Sequence, residues 1–207
     1  MTISTSRGQA FTVEAIVASL VIIGTLVLIS QTAAVAPLQS EAQSQTIQEE
    51  TATLSSDLLE TSAKLETLHE AMLQWDPNQR TFDGAKESRD HYQTPPTDVT
   101  FGRAISEVFT TRGYLVNVDL VWATPHGTET QQYLHMGTPD EDAVTTSHTV
   151  TLMNDDTVSY ARGGTSRSTT LGDMAKSDSE EFFAQPSSRG RATYQSVNVR
   201  MTVWELT

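Results

Sequence analysis

Hydrophobic positions fall into three regimes along the chain: one unbroken apolar run, one run with a period near 3.5, and a series of short alternating runs. The unbroken run comes first. Ala15 to Ser40 contains no charged residue, and its centre, Ala15 to Ile29, is dominated by Ile, Val and Leu. Continued through Ala36 it gives about 22 residues, or roughly 33 Å of helix, enough to cross a hydrocarbon core. A helix of that length in a water-soluble core would show a polar stripe, and none is present. The expectation is a transmembrane helix over 15–37, preceded by a signal-like segment over 1–14.

The second regime runs from Thr46 to Trp75. Ile47, Leu54, Leu58, Leu65, Leu68, Met72 and Trp75 form a seam that Leu59 and Leu73 widen, while Glu49, Glu50, Asp57, Glu60, Lys64, Glu66 and Glu70 fill the remaining positions. This spacing predicts a single amphipathic helix within a stalk segment, 38–76, with its apolar face on the chain's own sheet or on a coiled-coil or filament partner. Pro37 removes an amide donor and allows a kink between anchor and stalk. Trp75-Asp76-Pro77-Asn78, a run of turn formers, ends the helix.

The third regime occupies 77–207. Residues 78 to 100 read as loop, with Asp83-Gly84 and Pro95-Pro96 as punctuation, and a short helix follows from Phe101 to Thr111. Val116, Val118, Leu120 and Trp122 alternate with Asn117, Asp119 and Val121, as a half-buried strand requires. Gln131 to Met136 is expected to pair with that strand across Thr124 to Gly127. Val144 to Met153 and Val158 to Ala161 flank Asn154-Asp155-Asp156-Thr157 and read as a hairpin. Ser166 to Arg191, rich in Ser, Gly and charge, reads as a loop tacked down by Phe182-Phe183. A closing strand runs from Tyr194 to Leu206, with Val197, Val199, Met201 and Val203 on one face. The fold class is α+β: a long N-terminal helix followed by an antiparallel sheet domain.

Charge narrows the picture. The 207 residues carry 13 Lys and Arg against 26 Asp and Glu, a net charge of −13. Arg7 and Glu14 cancel within the first 40 residues, so the whole excess lies beyond the apolar run. Nucleic-acid binding is excluded as an expectation, because it needs clustered cations to displace counterions from phosphates. Only Lys64, Lys86 and Lys176 are lysines, and the composition resembles that of extreme halophiles, where salt screens self-repulsion. The absence of cysteine excludes disulfides, zinc–thiolate sites and thiol catalysis.

Topology follows from the same residues. Arg7 before the span and net negative charge after it place the N-terminus in the cytoplasm and the C-terminal domain outside. A cleaved secretory signal is the competing reading, since Ala34-Val35-Ala36 offers a small-x-small site. Against it stand Pro37 directly after that site, a single Arg7, and Glu14 just before the apolar run. A carboxylate at the edge of a span either reaches the headgroups or pairs with a cation, which singles out Glu14 as a candidate subunit-pairing residue.

Candidate chemistry is sparse. His126, His135 and His148 with Asp140, Glu141 and Asp142 could be imagined as a metal site, but they lack the two-His helical spacing of zinc hydrolases. Asp155-Asp156 lacks the alternating ligands of a calcium loop. Arg162-Gly163-Gly164-Thr165-Ser166 lacks the Walker lysine, no Gly-x-Ser-x-Gly elbow is present, and no Asn-x-Ser/Thr acceptor exists. The expectation is a protein that is not an enzyme, with no catalytic residues, metal ligands or cofactors.

The stretch Ser6-Arg7-Gly8-Gln9-Ala10-Phe11-Thr12-Val13-Glu14, running into the apolar helix, resembles the class III signal of archaeal pilins and archaellins. The resemblance implies cleavage by a prepilin peptidase between Gly8 and Gln9, with the helix kept on the mature protein. The Phe-Thr-Val-Glu run is similar to the start of mature bacterial type IV pilins, whose early glutamate pairs with a neighbouring subunit's amino terminus. Here the register departs: cleavage after Gly8 makes Glu14 the sixth mature residue, and cleavage after Ala10 the fourth, where the bacterial pattern has the fifth. Trp75-Asp76-Pro77, Tyr92 with Pro95-Pro96, Phe101-Gly102, Arg112-Gly113, Met136-Gly137-Thr138-Pro139, Thr149-Val150-Thr151-Leu152 with Asp155-Asp156, and Val203-Trp204 resemble a haloarchaeal family of uncharacterised membrane-anchored, pilin-like proteins.

Three functions are therefore expected in descending order. The first is a pilin-like or minor pilin subunit of a surface filament, whose partners are membrane lipid, like or related subunits and a prepilin peptidase. The second is a permanently anchored monomeric surface protein that binds an unknown ligand or partner. The third is a membrane-tethered hydrolase using the scattered His and carboxylates.

Overall fold

The computed structural model describes residues 45–85, 90–162, 165–177, 181–187 and 192–206. The expected transmembrane helix over 15–37, together with Gly8, Gln9 and Glu14, lies outside them. Among the described residues no helix is long and apolar enough to cross a membrane. The chain divides into two compact units, Met1–Ile47 and Gln48–Thr207; of the first, only 45–47 are described, and they are helical. The second is α+β, with a helix packed against a four-stranded antiparallel sheet.

That helix, α1 (45–64), buries Thr51, Ser55, Leu58, Leu59 and Ser62 at helical spacing and exposes Glu49, Glu50, Asp57, Glu60 and Lys64. It stops short of the length its hydrophobic period predicts. The Leu65 amide still bonds the Thr61 carbonyl at 3.0 Å, but the Glu66 amide reaches only to Ala63, and Glu66 adopts a φ of 61°. The Thr67 hydroxyl then donates to the Ser62 carbonyl at 3.2 Å. A second helix, α2 (Thr67–Leu73), follows and packs against a third helix and two strands described below. Burial of Leu68, Ala71 and Met72 outweighs the roughly 1–2 kcal/mol that a left-handed non-glycine residue costs. The single helix expected over 46–75 is therefore two helices, and Leu65, expected in the seam, is 67 % exposed.

Trp75 belongs to a strand instead. The pair β1 (Trp75–Asp76) and β2 (Thr81–Phe82) forms a small hairpin inside the stretch read as helix end and loop. Asp76 builds its turn: the carboxylate accepts the amides of Asn78 at 2.8 Å and Gln79 at 3.3 Å, and its carbonyl accepts the Arg80 amide at 2.8 Å. The expected short helix is present as α3 (Thr100–Val108), followed by a 3-10 turn, Thr110–Arg112, which ends at Gly113 with φ of 88°.

The main sheet contains β3 (Tyr114–Thr124), β4 (Gly127–His135), β5 (Val144–Met153) and the closing strand. Between β5 and that strand lie β6 (Thr157–Arg162), β7 (Thr165–Thr170) and the short helix α4 (Leu171–Met174), and the closing strand is β8 (Thr193–Glu205). The order is β4-β3-β8-β5, antiparallel throughout, so the last strand in sequence is central. Rows of paired residues cross it: Val116 against Val203, Val118 against Met201, Leu120 against Val199 and Trp122 against Val197. All eight are buried, each aliphatic contributing about 1.5–3 kcal/mol relative to exposure. Helix α3 adds Phe101 and Ile105 to the core, and Phe82 meets Trp75, Tyr92, Tyr133 and Phe183.

Two expectations are overturned in this region. Val144–Met153 and Val158–Ala161 do not form a hairpin, because β5 pairs with β8 while β6 pairs with β7 in a separate sheet. The Asn154–Asp156 link is tied elsewhere: the Asn154 amide donates to the Ala192 carbonyl at 2.8 Å, and the Gly172 and Leu171 amides donate to the Asn154 and Asp156 carbonyls at 2.9 Å. The stretch 166–191, read as loop, contains most of β7 and all of α4, whose Thr170 hydroxyl accepts the Asp173 amide at 3.2 Å. Phe182 within it is buried, as expected of a tack.

Gly102 tests the packing of α3. Alanine in a helix interior is ordinarily worth about 1 kcal/mol over glycine. Here a Cβ would lie 2.2 Å from the Pro96 carbonyl oxygen and 2.6 Å from the Pro96 Cδ. Gly102→Ala is expected to lose at least about 2 kcal/mol in denaturant unfolding; a gain would mean that α3 does not rest on Pro95-Pro96.

Candidate functional site

The structure disperses the histidines and carboxylates that the sequence marked. His126 sits in the exposed β3–β4 turn. His135 lies opposite Asn117 on the outer face of the sheet, at the β4 edge, whereas His148 lies opposite Val199 on the inner face, at the β5 edge. Three strand spacings, about 14 Å, and opposite faces separate them. Asp140 and Asp142 shape the turn before β5, the Asp140 carboxylate accepting the Asp142 amide at 3.1 Å, and Asp142 accepts the Gln48 side-chain amide at 2.8 Å. Arg162 and Thr165 flank the β6–β7 connection, whose Gly163 and Gly164 lie outside the described residues. Among the described residues no group of three or more His, Asp and Glu is placed to hold a metal ion.

Two pairings were invisible in the sequence. His69 of α2 shares a 2.8 Å hydrogen bond through Nε2 with Asp156, whose carboxylate also accepts the Met153 amide at 2.6 Å. The carboxylate thereby ties α2 to the end of β5. The partners are 87 positions apart, so no spacing could have announced them. His91, buried, bonds the Asp90 carboxylate through Nδ1 at 2.9 Å and meets the His135 ring edge-on, with centroids 5.7 Å apart. Burial pushes the Tyr133 phenol well above its ordinary value and the Tyr194 phenol up to about 12. Neither is a proton donor tuned to neutral pH. Tyr194 instead donates to the Ala184 carbonyl at 2.9 Å and holds the 181–187 segment to β8.

The surface that remains is polar. Polar residues occupy inner positions on both α1 and β5: Thr51, Ser55 and Ser62 are buried on the helix, while Thr146 and His148 occupy the inner row of β5. The Ser55 and Thr146 hydroxyls are buried without a hydrogen-bond partner among the described residues. On the outer face, Thr145 bonds Thr202 at 3.0 Å and Asn198 bonds Thr149 at 3.3 Å. One row across this face reads Gln132, Asp119, Arg200, Ser147. Burial raises the Asp119 carboxyl above the ordinary range, and the charges of Arg200 and His135 offset only part of that. These residues form a hydroxyl- and amide-rich face, and among the described residues they do not assemble a nucleophile, base and orienting group.

Asp119 yields a pH test. Its folded pKa lies above the unfolded one, so between the two the native state holds more protons and stability falls as pH rises. Above the folded value the penalty is constant. Asp119→Asn removes it and is expected to stabilise the protein at pH 7 by about 0.5 kcal/mol after solvent screening, with the gain shrinking toward pH 3. Thermal unfolding of both proteins across that range checks it; a variant that is less stable at pH 7 would show that the Arg200 attraction dominates.

A family model described as a family of unknown function (DUF7288) matches residues 7–203. No curated protein and no solved structure matches the chain.

Proposed function

We propose, for a chain that belongs to the DUF7288 family, that it is a single-pass membrane-anchored, extracytoplasmic protein acting as a pilin-like or minor pilin subunit of a haloarchaeal surface filament. The observation that carries the reading is continuity: a charge-free run over 15–36 leads within a few residues into a helix that packs on a four-stranded antiparallel sheet. An apolar run followed in sequence by an α+β unit supports the pilin-like reading without assigning a reaction.

Chemistry at the N-terminal side supports the same reading. Gly8-Gln9 supplies the small residue after a basic one that a prepilin peptidase cuts behind, and Glu14 supplies a carboxylate at the start of the apolar run. In an assembled filament Glu14 pairs with the amino terminus of a neighbouring subunit. The acidic excess beyond the span keeps copies soluble at high salt, where screening shortens repulsion to a few Å.

Sequencing the mature N-terminus of chain recovered from membranes tests the reading. It predicts a protein beginning at Gln9. A protein beginning at Pro37 or later would mean conventional secretion without an anchor, and an intact N-terminus would favour a permanently anchored monomer.

A further inference from the structure

The two edges of the four-stranded sheet are finished differently. Along β4, the segment around Tyr92 covers the edge from Tyr133 onward: the Tyr92 amide donates to the Tyr133 carbonyl, and the His135 amide to the Tyr92 carbonyl, both at 2.9 Å. Gly127 to Thr130 carry no such cover among the described residues, while the Gln131 side-chain amide donates to the Asp90 carbonyl at 3.1 Å and to the Gln132 carbonyl at 3.0 Å. Along β5 the whole length from Val144 to Leu152 pairs only with β8 among the described residues. Natural edge strands are blunted by Lys, Pro, inward charges, bulges or brevity. β5 is ten residues long, holds no Asp, Glu, Lys, Arg, Pro or Gly, and has its single register shift at the far end, between Leu152 and Met153.

We propose that β5 receives the open half of β4 from a second copy of this chain, so that copies join side by side through one continuous antiparallel sheet. Charge argues for a copy as the occupant. A chain at −13 repels its like over most of its surface, yet β5 brings no ion except at His148, and Gly127–Gln132 brings only Glu129. Strand direction agrees. With four strands alternating, β4 and β5 run in opposite senses, so a copy shifted across the sheet presents β4 antiparallel to β5 with the same face inward.

The rows of the sheet fix the register. Thr130 aligns through Val121 and Asn198 with Thr149, and Gln132 aligns through Asp119 and Arg200 with Ser147. Extending those rows into the next copy sets Thr149 against Thr130, Thr151 against Thr128 and Ser147 against Gln132 on the outer face. On the inner face it sets Val150 against Glu129 and His148 against Gln131. Hydroxyl and amide side chains therefore meet one another, and no like charges are opposed. The neighbour's Tyr92 segment ends the pairing after Gln132. Because the contact is head-to-tail and the sheet twists, it continues as an open helical row instead of closing. The preference for this arrangement over a two-fold β5–β5 pair rests on the anchored reading, since a two-fold axis would set the α1–α2 segments of the two copies, which run along β5 from Gln48 at Asp142 to His69 at Asp156, in opposite directions.

The chain has no cysteine, which permits a direct test. Full-length Thr130→Cys/Thr149→Cys protein in lipid vesicles at high salt is oxidised mildly and its disulfides mapped; Cβ atoms of facing strand residues lie close enough to bridge. A ladder of dimers, trimers and larger species linked 130 to 149 is expected, with dimers only when the two single variants are mixed. Dimers from Thr149→Cys alone would overturn the proposal in favour of a two-fold pair. Absence of cross-linked species with the protein still sedimenting with the vesicles would overturn it while leaving the anchor intact. Protein that stays out of the vesicles would remove the anchored reading and with it the shared orientation this arrangement requires.

Discussion

The inner face of the four-stranded sheet is completed by the last strand in the sequence, and the rest of the structure depends on that insertion. Val197, Val199, Met201 and Val203 of β8 lie between the apolar row of β3 and the mixed row of β5. Without β8, β3 and β4 would be an isolated hairpin, marginal in water, and β5 would have no partner. The apolar faces of α2 and α3 would then have nothing to cover. The design is non-local: β3 and β8, whose partners run from Trp122↔Val197 to Tyr114↔Glu205, must meet across most of the domain's sequence before the core exists.

Once closed, the sheet is asymmetric in chemistry. Its centre is aliphatic, with an aromatic cluster from Trp75, Phe82, Tyr133 and Phe183 at one side, whereas the inner row of β5 sets Thr146 and His148 among Val144, Val150 and Leu152. Burying Thr51, Ser55 and Ser62 on α1 gives up much of the hydrophobic gain that larger apolar side chains there would supply. The same polar character continues onto the outer face and the β5 edge. Apolar burial is concentrated around β3 and β8, and the outer face of the sheet is polar.

Much of this architecture was legible in the sequence, for stated reasons. Alternation marked β3 and β8 because each buries one face, and the turn formers at Thr124 to Gly127 joined β3 to β4 correctly. Helical period found α1 and α2 but not their boundary, since Glu66 takes a left-handed conformation that tertiary packing imposes and no glycine signals. β5 and β6 are neighbours in sequence but not a hairpin, because β5 gains a full-length ladder with β8 that a short pairing with β6 would not match. Threonine- and serine-rich β7 carries no apolar alternation, so nothing distinguished it from loop. Of the candidate site, the dispersal of His135 and His148 followed from their separate strands, while His69–Asp156 joins residues that only the fold brings together. Gly8, Gln9 and Glu14 rest on sequence alone.

Amide hydrogen exchange on the detergent-solubilised monomer tests the central claim, that β8 is the inner strand on which the unit closes. Amides of β8 and β3 are predicted to exchange slowest, at the rate set by global unfolding, while the β5 amides that point away from β8 exchange early. If β8 exchanged as fast as β6 and β7, the strand would not be central, and the sheet described here would be wrong.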